Sequence, residues 1–108
     1  MSSTTVTRGN SHETFYIGPS LTPTSVTAYT SAVQTFNIPG LLTSDIIQAV
    51  GAVGVQTAGM VTAECDCYNP NVLSVQFLNS TGSTATPLAG QYIFQITRVE
   101  GPLPANAA

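Results

Sequence analysis

Apolar and polar residues alternate with period two in three parts of the chain, and each part predicts a half-buried strand. Over residues 61–68 one face carries Val61, Ala63, Cys65 and Cys67, the predicted inward face, and the other Thr62, Glu64, Asp66 and Tyr68. Asn69-Pro70-Asn71 follows as a turn signal. Beyond it Leu73, Val75 and Phe77 alternate with Ser74 and Gln76, which makes the two segments an antiparallel hairpin. Residues 79–90, rich in Ser, Thr, Gly and Pro, read as a loop leading to a third strand, in which Tyr92, Phe94 and Ile96 alternate with Gln91, Gln95 and Thr97.

Three earlier segments, residues 14–17, 25–30 and 33–38, are β-prone in residue type and punctuated by Gly18-Pro19, Pro23 and Pro39-Gly40. They are expected to be short strands. In residues 44–53, Ser44 has the chemistry of a helix cap ahead of Ile46, Ile47, Val50 and Val53, but the β-branched residues and Gly51 favour a strand. Short strands separated by turns predict an all-β chain folded as a single small β-sandwich or jelly-roll-like domain.

The body spans residues 13–100, and 101–108 form an irregular tail starting at Gly101-Pro102-Leu103-Pro104. Residues 1–12 are mostly Ser, Thr, Gly and Asn. Such a segment buries too little surface to offset its ordering entropy, so it is expected to be an extended N-terminal arm that orders on a partner. Its β-prone run Thr4, Thr5, Val6, Thr7 with Arg8 behind it is the candidate partner-binding stretch, able to run along a neighbouring subunit by strand addition. A frayed terminus without a role is the alternative.

Composition narrows the function. Of the 108 residues, 43% are hydrophobic, as in a globular chain, but only 6% are charged, against about 25% in ordinary domains. There is no lysine, and Arg8 and Arg98 are the only Arg residues, so the surface is largely uncharged and weakly repelled from neighbours. Nucleic-acid binding is not expected, because two arginines neutralise too few phosphates. The first ten residues lack the basic cluster and apolar stretch of a signal peptide. The most apolar run, residues 46–55, is interrupted by Gln48, Gly51 and Gly54 and falls short of the roughly 20 residues of a membrane helix. Synthesis in the cytosol without membrane insertion is the expectation.

Candidate chemistry is sparse. Cys65 and Cys67 on one strand face lie about 7 Å apart, too far for an easy disulfide, and two thiols are too few for zinc. Buried reduced thiols are expected; an interchain bridge or a metal site with donors from elsewhere are the alternatives. Glu64 and Asp66 have the spacing of a carboxylate pair for glycoside hydrolysis or calcium, but also of a solvated face or an electrostatic partner contact. His12 beside Ser11 lacks the rigid setting of a catalytic base, and Gly51 and Gly54 lack the rest of a phosphate-binding motif. No enzyme activity, metal or cofactor is expected. An all-β domain without lysines on its strand edges is instead expected to have those edges covered by neighbours.

From Phe36 onward the order Phe-Asn-Ile-Pro-Gly-Leu, Ser44-Asp45-Ile46-Ile47, a glycine-containing stretch, an alternating strand, Val72-Leu73-Ser74-Val75-Gln76-Phe77-Leu78-Asn79-Ser80-Thr81, Thr86-Pro87 and Gly90-Gln91-Tyr92 running to Arg98 resembles a β-module of tailed-bacteriophage virion proteins, in particular small head-decoration (cement or staple) proteins. The resemblance covers about 60% of the chain, residues 36–99. Cys65 and Cys67 are not part of the pattern. What it implies is a jelly-roll-like fold, commonly a homotrimer, on the capsid exterior of the virion, where it bridges major capsid protein subunits and stabilises the shell through many small contacts. The other reading is the same module as the tip of a virion fibre or spike that binds a host receptor or glycan; the absence of Trp weighs against sugar stacking. A free cytosolic binding domain for a small ligand is a third class.

Overall fold

In the computed structural model the described residues are 12–100; the arm residues Thr4, Thr5, Val6, Thr7 and Arg8 and the tail 101–108 lie outside them. The alternating segments form antiparallel strands β1 (His12–Ile17), β2 (Ser20–Leu21), β3 (Ser31–Asn37), β4 (Ile46–Ala52), β5 (Met60–Asp66), β6 (Val72–Asn79) and β7 (Gly90–Val99). One sheet has β7 at its centre, with β1 and β2 end to end on one side and β4 on the other. The second sheet has the order β3-β6-β5. The chain passes repeatedly between the sheets, which makes the described body an all-β sandwich of two antiparallel sheets.

The core lies where the two central strands face each other. Leu73, Val75 and Phe77 of β6 and Tyr92, Phe94 and Ile96 of β7 are all fully buried, as their alternation predicts. Phe77 meets Tyr92 edge-on across the sheets with ring centroids 6.0 Å apart. The buried phenol is satisfied: Tyr92 Oη donates to the Leu88 carbonyl and accepts from Gln56 Nε2.

Three expectations need correction. Residues 25–30 do not form a strand; only Val26 makes a bridge, to Ala85, and the chain then turns with Thr30 N–H donating to the Thr27 carbonyl and Tyr29 at φ 56°. His12, assigned to the arm, opens β1 opposite Val99. Val61 and Ala63 do not share the inward face of Cys65 and Cys67. A bulge between Thr62 and Cys65 shifts the β5 register against β6, so the phase of alternation changes mid-strand. Met60 is buried before it, Cys65 and Cys67 after it, while Val61 and Ala63 face outward.

The expected turns hold the strands in register. Asn71, at φ 68°, closes the β5–β6 connection, and its side chain accepts from Gly40 N–H while its backbone bonds Ile38 and Leu41, tying the Pro39-Gly40-Leu41 turn to the hairpin. Gly51, at φ 141°, sits at the register shift of β4 against β7, a conformation L side chains rarely adopt. That is the physical role of this glycine.

Candidate partner-binding surface

The four longer outer strands, β1, β3, β4 and β5, differ in their free edges. β4 and β5 each carry a register shift, the usual means of blunting an edge. β1 and β3 are straight. Asn79 N–H donates to the Thr30 carbonyl and Ile38 N–H to the Asn71 carbonyl, which sets the even-numbered β3 residues against β6. The backbone groups of Ser31, Val33 and Thr35 therefore point to the free edge. On β1 the bond from Tyr92 N–H to the Pro19 carbonyl, continued in register, leaves Thr14 and Tyr16 in the same position. Neither edge carries a lysine, a proline or a bulge, and Ser31–Asn37 carries no charge at all.

On the outer face of the β3-β6-β5 sheet lies a groove of about 250 Å³ lined by Val33, Glu64, Asp66, Tyr68, Ser74 and Gln76. The bulge in β5 carries Glu64 to the rim between this groove and a second opening between β4 and β5. Tyr68 Oη donates to Asp66 Oδ2 at 3.1 Å, and this bond to a carboxylate, with the nearby negative charge, holds the phenol above its ordinary pKa. Ser74 is only 5% exposed, and its hydroxyl has no hydrogen-bond partner among the described residues. Such an unsatisfied buried hydroxyl is uncommon in a folded domain. Beside the groove, Val61 and Leu78 pair across the strands and are both exposed. An apolar strip thus adjoins a negatively charged one.

At the end of the sandwich Arg98, the one Arg among the described residues, is held by several groups. Arg98 donates from Nε and Nη2 to the two oxygens of Asp45 at 2.8 and 2.7 Å, and Nη2 also reaches the Gly40 carbonyl at 2.9 Å. Its guanidinium lies 5.3 Å from the Phe15 ring centroid. The Asp45 side chain is entirely covered, and the hydrogen bonds from Arg98, aided by Leu42 N–H, hold its carboxyl below the usual range against the opposing effect of burial.

The thiols are free and inward. Cys65 and Cys67 are each 5% exposed, and burial, with Asp66 and Glu64 nearby, pushes the Cys65 thiol up to about 11. Thiolate is therefore scarce at neutral pH. Native protein at pH 8 should react with a thiol reagent at least about 100-fold more slowly than the urea-unfolded chain, because both thiols are covered and ionisation of Cys65 is suppressed as well. Labelling of both thiols at the unfolded rate would show the inward assignment to be wrong.

Among the described residues no group of three or more His, Cys, Asp or Glu side chains is placed to hold a metal ion, and no helix is long and apolar enough to cross a membrane. The chain matches no family model, no curated protein and no solved structure. The surface therefore has to be read from its own chemistry. The alternation of Glu64, Asp66 and Tyr68 foretold their common face. The burial of Ser74 left no signal, since serine at an outward position ordinarily reads as solvated. The Asp45–Arg98 pair had one signal: two charged residues in a chain with very few.

Proposed function

We propose that this chain is a structural virion protein, a decoration or cement protein that binds the outer surface of a phage capsid and stabilises contacts between major capsid protein subunits, acting as a homotrimer and not as an enzyme. The observation that carries this reading is the unprotected, nearly uncharged exterior. Two straight strand edges are open, and Tyr16, Tyr29, Val33, Val50, Val61 and Tyr68 are exposed on a body whose described Arg is already paired. Surfaces of this kind associate by packing and backbone hydrogen bonds rather than by charge. A cement protein needs no more than that: modest contacts to several subunits at once, summed by their shared geometry. The resemblance over residues 36–99 supplies the phage setting.

Purified chain mixed with phage heads lacking it should co-sediment with them, saturate at a fixed copy number and raise the temperature at which the heads release DNA. Saturable binding to host cells with none to heads would instead favour the fibre or spike reading, for which exposed Tyr68 beside Asp66 offers a stacking ring and hydroxyl acceptors for a sugar.

A further inference from the structure

The charges of this chain do not balance within the described body. Arg98 is committed to Asp45, Gly40 and Phe15, while Glu64 and Asp66 line one groove without a cationic partner among the described residues. Ser74 adds a covered hydroxyl to the same groove with no partner of its own. Two carboxylates around a buried hydroxyl acceptor form a receptor for a planar multi-donor cation, which a guanidinium matches and a single hydroxyl does not. The chain has one other Arg or Lys, Arg8.

We infer that the groove of Glu64, Asp66 and Ser74 receives the Arg8 guanidinium from the N-terminal arm of a second copy of this chain, with Val6 of that arm lying on Val33. The spacing agrees. In an extended segment Val6 and Arg8 fall on one side about 7 Å apart, and Val33 on β3 lies two strands, about 10 Å, from β5, a gap the long Arg side chain closes. A second copy is required by reach. Arg8 precedes His12 by four residues, which span at most about 14 Å, whereas His12 belongs to the other sheet, about 10 Å away, and the groove faces outward from the far side. β5 lies against β4, on the side of β7 away from β1, so the path also crosses the width of the sheet and exceeds this span even with the Arg side chain added. An arm given to a neighbour's groove is a heterologous contact, and a ring such as a trimer is the closed form it generates.

Self-association of the proposed virion protein, on which this docking rests, is measured by sedimentation equilibrium of the full chain without heads. The wild type should associate, and Arg8→Glu should weaken association about 30-fold or more, as should Glu64→Arg with Asp66→Arg, both with unchanged far-ultraviolet circular dichroism. Combining all three substitutions in one chain reverses the polarity of both partners and should restore most of the association. A monomeric wild type, an Arg8→Glu chain that associates normally, or a triple variant no better than its parents would each overturn the docking. Head co-sedimentation, scored separately, distinguishes the two failures: a monomer that still binds heads overturns the docking alone, and an arm-dependent oligomer that ignores heads overturns the cement reading alone.

Discussion

Arg98→Met is expected to lower the stability of the domain by about 3 kcal/mol at neutral pH, more than any surface substitution, because it leaves a covered carboxylate without its counter-ion. Asp45 would then retain only the Leu42 N–H as a hydrogen-bond donor. The reverse change, Asp45→Asn, is expected to cost less, about 2 kcal/mol, since Arg98 is 30% exposed and can hydrate. Urea denaturation at neutral pH measures both.

The same pair sets an acid limit. The Asp45 carboxyl is held below its ordinary value of 3.8 in the folded chain, so on acidification the unfolded chain takes up this proton first. Stability contributed by Asp45 is fully present above the unfolded pKa and is lost as the pH falls through the folded one. The wild type should therefore lose stability below pH 3.8 more steeply than Asp45→Asn does. Parallel acid profiles for the two proteins would show that the pair contributes nothing.

Asn79→Leu is expected to cost about 3 kcal/mol or more, although leucine adds apolar surface to a fully buried site. The amide uses its whole capacity: Nδ2 donates to the carbonyls of Val26 and Ser83, both at 2.9 Å, and Oδ1 accepts from Thr81 N–H at 2.9 Å and Thr81 Oγ1 at 2.7 Å. These bonds fix the start of the β6–β7 loop and anchor the segment around Val26 that bridges to Ala85. Leucine leaves the Ser83 carbonyl and the Thr81 N–H without this partner. Asn79→Asp keeps the shape but sets an acceptor against two carbonyls, which raises the folded pKa of the new carboxyl. That destabilisation should be largest at neutral pH and should shrink on acidification as the carboxyl gains a proton to donate. A thermal melt of Asn79→Leu within about 2 °C of the wild type would refute the account.

Sequence pattern and structure part at identifiable residues. β6 and β7 obey their alternation because each is the central strand of its sheet with one face on the core, and the extra residue at each register shift lies on its partner, β5 or β4. In β5 the alternation of Val61 and Ala63 with Cys65 and Cys67 is real, yet one inserted residue turned the first two outward. No local property of Ala63 or Glu64 announces the bulge. It is fixed by where Met60 must meet the core and where Cys65 must return to it. Residues 25–30 fail for the opposite reason: their β-prone types lost to a turn, and only Val26 kept a strand-like contact.

The sequence by itself determined the all-β class, the hairpin of β5 and β6, the inward rows of β6 and β7, the shared face of Glu64, Asp66 and Tyr68 and the shortage of charge on the surface. These depend on period-two patterning, turn residues and composition, all of them local. Tertiary structure alone decided the phase change in β5, the choice of β1 and β3 as unblunted edges, the pairing of Asp45 with Arg98 and the covered hydroxyl of Ser74. Each depends on which strands lie side by side or face to face, and residues 53 positions apart, such as Asp45 and Arg98, meet only when the β4 end of the chain has paired with β7.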